Sequence, residues 1–577
     1  MVSTPVKTNR LTTQVEALAA DTQVLRSLDW DRDRFDIEFG LQNGTTYNSY
    51  LIRGEKTALI DTSHAKFREL YMSLLQEQVD LSQLDYLIIS HTEPDHSGLV
   101  ADILALAPHV TVVGAKVALH FLDDLVHQPY EKLFVKGGSK LDLGNGHELE
   151  FISAPNLHWP DTIFTYDCGT NVLYTCDAFG MHYCDDNAFD VDLSKIEPDY
   201  RFYYECLMAP NARSVLTALK RMDAIADGEP FQAIANGHGP ILRYHITELV
   251  ERYRTWSQKR SKADTTVAVF YVSDYGYSDR LSQSVAHGIT KTGVAVEMMD
   301  LKAGDPQELQ ELVGQVQGLI VLAPPTSGRG AEASQAGLSN VLAAVNGKQF
   351  IGIVESYGGD DEPIDPLLNK FVDLGLTPGF KAIRVKDTPT EATYQLCEES
   401  GTDMGQELNH SQKMRKKKSD DNSLEKALGR VSSGLYIITA KKGEITSAML
   451  ASWVNQASFQ PLGVSIAVAK DRAIESFMQV GDRFVLNVLE EGKHLKLMKQ
   501  FLKRFPPGVD RFAGVDTQPA SDGSPILSGS LAYMECQVVS RMETSDHWIV
   551  YSTVSEGKVA NADGRTAAHY RKLGTYY

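Results

Sequence analysis

Cysteine is scarce in this chain. Six residues (Cys168, Cys176, Cys184, Cys206, Cys397 and Cys536) are spread over 577 positions, with no Cys-x-x-Cys pair. That spacing excludes a disulfide scaffold and suits reduced thiols in a cytoplasmic protein. Long apolar runs are missing too: none approaches the roughly 20 residues of a membrane helix, so no membrane insertion is expected. The first residues, Met1 to Lys7, lack an apolar signal core. Positive charge is in deficit, with 56 Lys and Arg against 75 Asp and Glu, a formal net charge of -19. A nucleic-acid partner is therefore not expected. No internal repeat is present. What remains is ample: 43% hydrophobic and 23% charged residues supply several cores and exclude general disorder. At roughly 150 residues per domain, the length allows three or four domains.

The most informative segment is His91-Thr92-Glu93-Pro94-Asp95-His96. It follows the apolar run Leu84 to Ile89, which reads as a buried strand, so its polar groups emerge at a strand end. His91, Glu93, Asp95 and His96 are four potential metal ligands in six residues, and Pro94 sets the turn that brings the last two around. Two imidazoles and two carboxylates this close call for a cation. A solvated polar loop is the alternative, and it is weakened by three further ligand-type residues downstream. His158 follows the strand-like Leu149 to Ile152, Asp177 follows Asn171 to Cys176, and His238 sits in Ala235-Asn236-Gly237-His238-Gly239-Pro240 after another apolar run. His109, His120, His127 and His245 have no such context and read as ordinary surface or core histidines. Seven ligands can hold two metals, with Asp177 as a bridging carboxylate. Cys168, Cys176 and Cys184 lie nearby but are not expected to ligate.

The order of these ligands resembles the metallo-β-lactamase-like fold, a four-layer αββα sandwich with ligands on loops at one edge. Zinc hydrolases of that superfamily usually carry His-x-His-x-Asp-His at the first position, whereas Glu93 stands here in place of the second histidine. A carboxylate adds a hard oxygen donor and favours iron or manganese over zinc. With Glu93, the set resembles that of flavodiiron proteins. The resemblance implies one iron on His91, Glu93 and His158, the other on Asp95, His96 and His238, and Asp177 between them. In some members the histidine equivalent to His96 turns away from the metal.

Beyond the helix-like Ile246 to Gln258 and a polar seam, Val267 to Tyr271 opens an alternation of strands and helices, with further strands at 293–298, 318–322 and 350–354. That pattern predicts a doubly wound parallel sheet. Tyr271-Val272-Ser273-Asp274-Tyr275-Gly276-Tyr277-Ser278 joins the first strand to its helix, where free amides and hydroxyls favour a phosphate. The segment resembles the flavodoxin phosphate loop, and the resemblance implies FMN held by Ser273, Tyr275, Gly276 and Ser278. At two later strand ends, Pro325 and Thr326, and Ser356, Tyr357 and Gly358, are implied as contacts to the flavin ring, at the carboxyl ends of the strands. Gly359 stands where many flavodiiron members have tryptophan.

A second polar seam, with the basic run Lys413 to Lys418, precedes short strands rich in Val, Ile, Phe and Thr that suggest a β-barrel. Thr446-Ser447-Ala448-Met449, Ser452 to Ser458, Lys470-Asp471-Arg472, Phe484 to Leu489 and Ser545-Asp546-His547-Trp548 resemble short-chain flavin reductases. The expected division is 1–262 for the metallo-β-lactamase-like di-iron domain and 265–405 for the flavodoxin-like domain. Residues 406–422 form a polar, basic linker and 423–577 the flavin-reductase-like domain.

Three domains in this order are similar to the extended, diflavin flavodiiron proteins of oxygenic phototrophs. The resemblance implies an NAD(P)H:oxygen oxidoreductase. Electrons from NADH or NADPH would pass through FMN, and through a second FMN or FAD in the last domain, to two irons that reduce dioxygen to water. Nitric oxide is the alternative substrate. A zinc hydrolase fused to flavin modules, or a flavin-binding sensor subunit with poor turnover, are the readings from other classes. A head-to-tail homodimer, or a hetero-oligomer with a paralogue, is expected.

Overall fold

The structure, a computed structural model, describes residues 10–32, 34–35, 39–226, 228–263, 265–272, 277–302, 306–323, 331–355, 364–385, 388–416 and 423–571. They form two compact units: one runs to Gln283 and takes in Ala295–Thr377, the other comprises Ser284–Val294 and the chain from Pro378.

In the first unit, two sheets face each other. One has seven strands in the order Leu11–Ala19, Thr22–Asp29, Thr45–Arg53, Thr57–Ile60, Leu84–Ile89, Thr111–Ala115 and Glu131–Val135. The other has five: Lys140–Gly144, His147–Ser153, Ile163–Asp167, Val172–Cys176 and Ala233–Asn236. Val172–Cys176 and Ala233–Asn236 are buried along their whole length, whereas outer strands such as Leu11–Ala19 and Glu131–Val135 keep exposed positions. In Leu84–Ile89, Leu87 and Ile89 join Phe67, Tyr71, Ile103 and Leu122 under the helices, while Ile88 turns to the inter-sheet core. That middle core packs Val24, Tyr50 and Ile52 against Phe151, Val172 and Tyr174. A third core lies between the second sheet and its helices, with Phe164, Leu173, Tyr200, Tyr203, Leu219 and Tyr253. Three cores between four layers is the expected αββα sandwich. The carboxyl ends of Leu84–Ile89, Val172–Cys176 and Ala233–Asn236 meet at one edge, tied across by Ile163 N–H to Ser90 O (3.0 Å) and Asn48 N–H to Gly237 O (2.9 Å).

The first unit also holds the predicted parallel sheet. Its order is Ala295–Asp300, Thr266–Tyr271, Gly318–Ala323, Phe350–Glu355 and Thr377–Pro378. Its first four strands are parallel. The chain starts inside the sheet, moves one way and then the other; right-handed crossovers then put helices on both faces, which is flavodoxin-like winding.

In the second unit, seven antiparallel strands follow the order Ile445–Ala451, Tyr436–Lys442, Arg483–Val488, Ala532–Glu543, His547–Val559, Leu462–Ala469 and Val454–Phe459. All seven contribute to one core, among them Ile438, Ala451, Val454, Ile466, Leu486, Val538 and Val550. The expected barrel is not closed: among the described residues no ladder joins the outer strands Ile445–Ala451 and Val454–Phe459. Only Ser452 and Trp453 separate these two strands in sequence, so the chain turns a corner there instead of forming a hairpin. The segment expected as a linker from 406 is helical as far as Lys416, as the end of Glu391–Lys416; residues 417–422 lie outside the described part. No helix among the described residues is long and apolar enough to cross a membrane.

Candidate metal centre

All seven predicted ligand residues converge at the sandwich edge, and none is more than 8% exposed. The local reasons are visible at each loop. Pro94 opens the short helix Pro94–Ser97, and its first amides, of His96 and Ser97, bond back to Glu93 O. That curl lets Glu93 reach one side and Asp95 and His96 the other. Cys176 takes a left-handed backbone (φ 51°) just before Asp177, a conformation rare outside glycine that swings the chain off the strand end. Gly237 cannot carry a side chain, because a Cβ there would lie 2.6 Å from His96 Cε1.

Asp177 sits at the middle. Its Oδ2 is 3.2 Å from His158 Nε2 and 3.5 Å from His91 Nε2; its Oδ1 is 3.0 Å from His96 Nε2 and 3.1 Å from His238 Nε2. Glu93 Oε2 completes the first set, 3.1 Å from His158 Nε2 and 3.3 Å from His91 Nε2. Asp95 completes the second, 3.4 Å from His238 Nε2 and 3.6 Å from His96 Nε2. Two groups of donor atoms close enough to share an ion result: His91, Glu93, His158 and Asp177, and Asp95, His96 and His238.

Residues that sequence reasoning missed aim these donors. Asp161, fully buried, accepts from His91 Nδ1–H (2.9 Å) and from Thr92 N–H (2.8 Å). His238 Nδ1–H donates to Thr46 O (2.7 Å). Gln283 Nε2 lies 3.2 Å from His158 Nδ1, and Tyr203 donates its phenol to Asp177 Oδ1 (2.9 Å). A carboxylate or carbonyl holding Nδ1–H fixes the tautomer and turns the Nε2 lone pair inward. Asp161, an acid in the same loop as His158, was the one signal open to sequence; Thr46, Tyr203 and Gln283 carry none. The other ring nitrogen of His96 faces Asp61 and Cys176. Burial pushes the Cys176 thiol well up, so no thiolate is expected there.

The electrostatics describe a site made for cations. Burial opposes charge on His91, yet the bond to Asp161 and the neighbouring carboxylates outweigh it and raise its pKa well above the ordinary value. His158 is likewise raised, to about 9, by Asp177 and Glu93 against its burial. Conversely, burial works against the Asp177 charge but the surrounding imidazoles hold it well below the usual carboxylate range. Asp177 Oδ2, His158 Nε2 and Asp95 Oδ1 are buried and make no well-formed hydrogen bond despite these close approaches. Convergent lone pairs from three carboxylates and four imidazoles fit a pair of metal ions of the iron or manganese type.

Of the FMN residues read from sequence, Ser278 is described. It opens the helix Ser278–Lys291, is fully buried, and accepts Val272 N–H at 3.3 Å. Ser273, Tyr275, Gly276, Pro325, Thr326, Ser356, Tyr357 and Gly358 lie outside the described residues. In the last domain, His547 bonds Asp546 (2.9 Å) and lies 5.0 Å from the Trp453 ring, while Lys470 and Arg541 both lie over Trp548. Asn487 is spent on the fold, bonding Ile437 O, Thr439 Oγ1 and Leu527 N–H.

Comparison with known proteins agrees with this picture. Residues 45–239 match the family described as ODP family beta lactamase, and residues 428–575 match the flavin reductase like domain. The chain is 64% identical to diflavin flavoprotein A 1 of Synechocystis sp. over the whole of both chains, and 63% identical to a putative diflavin flavoprotein A 3 of Nostoc sp., again over both full lengths. A metal-soaked flavodiiron core from Synechocystis sp. is 38% identical, with a TM-score of 0.65, over 70% of this chain and 99% of that one. The fold and the site thus define a flavodiiron oxidoreductase that binds flavin and iron. Within that class, the chain belongs to the diflavin flavoprotein family, whose flavodiiron core is followed by a flavin-reductase-like domain.

Proposed function

We propose that this chain is an NAD(P)H:oxygen oxidoreductase that reduces dioxygen to water at two irons held by His91, Glu93 and His158, and by Asp95, His96 and His238, with Asp177 shared. The observation that carries the reading is the division of Asp177: each carboxylate oxygen faces a different set of ligands. Glu93 in the first set favours iron, and family membership sets the zinc-hydrolase alternative aside. When bound, the irons supply oxygen binding and one-electron chemistry.

The protein's own part is to hold that arrangement. Asp161 and Thr46 O keep protons on the outer nitrogens of His91 and His238, so their inner nitrogens stay free for metal. Tyr203 holds a proton 2.9 Å from Asp177 Oδ1, on the side of the second set. Trp159, with its ring 5.1 Å from that of His91, and Tyr47, 5.6 Å from His238, wall the site with aromatic surface and exclude water. FMN would lie against the loop ending at Ser278 in a domain of residues 265–405. NADH or NADPH would be oxidised at a second flavin in 423–577. A cytoplasmic, head-to-tail homodimer or an assembly with a paralogue completes the reading.

The test is turnover by protein purified without air and reconstituted with iron and FMN. Oxygen uptake at two NAD(P)H per dioxygen, without peroxide, is expected. Nicotinamide oxidation that consumes nitric oxide but no dioxygen would shift the assignment to nitric-oxide reduction, and peroxide as the sole product would overturn it.

A further inference from the structure

A second dense group of buried charge lies in the unit that contains Ser284–Val294 and the chain from Pro378. Lys291, the last residue of Ser278–Lys291, places Nζ 2.5 Å from Glu398 Oε1 and 2.6 Å from Glu475 Oε2. Glu398 belongs to the helix Glu391–Lys416, and Glu475 to the turn Ala473–Phe477 of the flavin-reductase-like domain. Arg541, on the strand Ala532–Glu543, pairs with Glu475 and bonds Gln479. It also stacks 4.1 Å over Trp548, next to His547. The four charged side chains are only 7–8% exposed, and they alternate in sign.

The surroundings fix this line in place. Gly288 lies against Glu398 O so closely that a Cβ would sit 2.0 Å from it, and one on Gly401 would sit 2.2 Å from Val285 O. The two helix backbones therefore touch, and Asn409 adds a bond to Thr292 O (2.8 Å). Further along Glu391–Lys416, Glu399 pairs with Arg511 at 2.9 Å and Asp403 with Arg504 at 2.5 Å; Gln406 donates to Asp471 O at 2.6 Å. A buried, balanced ion chain is a modest stabiliser compared with apolar packing, but it specifies one arrangement, because removing one member strands another charge. Two carboxylates hold Lys291 charged against its burial, and Glu398 is drawn down to about 2 by Lys291 despite its own burial.

We propose that Lys291 is a positioning residue that clasps the flavin-reductase-like domain, through Glu475 and Arg541, onto the paired helices Ser278–Lys291 and Glu391–Lys416. The domain is thereby fixed on those two helices. The inference rests on the proposed function only for what the seat serves, which is delivery of electrons from nicotinamide to the rest of the chain.

The test compares full-length Lys291→Met and Lys291→Arg with the unaltered chain. Amide exchange over residues 391–410 and 470–480 is measured beside two NAD(P)H-driven activities, ferricyanide reduction and oxygen uptake. In Lys291→Met, exchange in both segments should rise about tenfold or more as the contact opens locally. Ferricyanide reduction should stay within about twofold while oxygen uptake falls about fivefold, with Lys291→Arg near normal in each. Unchanged exchange, equal loss of both activities, or unchanged oxygen uptake beside faster exchange would each overturn the proposal. Should Lys291→Met not fold, Arg504→Ala removes a half-exposed outer pair; faster exchange confined to 391–410 and 470–480 supports the clasp, and no change overturns it. Absence of ferricyanide reduction by the unaltered chain would instead count against the nicotinamide reading, leaving exchange to decide the clasp.

Discussion

Two buried charge clusters in this protein look alike in composition and differ in what balances them. Around Asp177, the ion pairs of the carboxylates of Glu93, Asp95, Asp177 and Asp161 are with imidazoles. Around Lys291, each carboxylate meets a lysine or an arginine at hydrogen-bond distance. In the second cluster every carboxylate charge is met by a cation, and the unbonded buried atom there is a donor, Arg541 Nε. The first leaves buried lone pairs on Asp177 Oδ2, His158 Nε2 and Asp95 Oδ1 without well-formed bonds. Unpaired buried acceptors are costly, so the contrast separates a structural clasp from a site that requires cations. Burial and charge density alone would not have told them apart.

The largest expected effect breaks the aiming of the first cluster. Asp161→Ala removes the acceptor for His91 Nδ1–H and Thr92 N–H and should weaken iron binding about 10- to 100-fold, as loss of such outer partners generally does. Flavin absorption should be unchanged. Iron titration followed by absorbance checks this, and undiminished affinity would mean that His91 is aimed by its loop alone.

Opposite pH windows sharpen the comparison. His158 has a folded pKa of about 9 against an ordinary 6.5, so in metal-free protein its stabilising charge pairing is full below about pH 6.5 and lost as pH rises through 9. Glu398 has a folded pKa of about 2 against an ordinary 4.5, so its contribution is full above pH 4.5 and lost as pH falls through 2. The metal-free centre should therefore loosen as pH rises through 9, and iron should abolish that loss; the clasp should loosen in acid and hold through pH 9. Exchange rates over 91–96 and 391–410, corrected for intrinsic chemistry, would test both.

A smaller effect comes from an intermediate case. Glu297, on Ala295–Asp300, is paired with the half-exposed Arg213 (3.1 Å), and burial outweighs that partner to raise its carboxyl to about 7. The folded state then holds a proton that the unfolded chain has released, so stability falls as pH rises from 4.5 to 7 and stays lower above. Glu297→Gln should raise stability by about 1 kcal/mol at pH 8, and by nothing near pH 4.5. A melting curve at each pH decides; equal shifts at both would contradict the titration.

The metal loops were legible because each ligand is local: a strand end, a turn residue and a chelating side chain are neighbours in sequence. The doubly wound parallel sheet followed from apolar runs that alternate with helix-length segments, whereas the αββα sandwich was implied by the resemblance of the ligand order. Partners that are remote in sequence were not legible. Tyr203 lies 26 positions from Asp177 and Gln283 lies 125 from His158, and neither position has a spacing rule. Lys291, Glu398, Glu475 and Arg541 are ordinary helix, turn and strand charges until folding buries them together. The polar, basic run to Lys416 read as linker because composition reports solvation but not helicity. Short strands rich in Val, Ile, Phe and Thr suggested a barrel; the chain instead turns a corner at Ser452-Trp453, a feature of backbone direction with no compositional mark.

The most direct test is iron titration of metal-free protein without air, comparing the unaltered chain with Asp177→Ala. The account predicts two irons per unaltered chain, and loss of both in the variant with flavin binding intact, because one carboxylate serves the two sets of ligands. Two irons retained in Asp177→Ala, or only one bound by the unaltered chain, would contradict it.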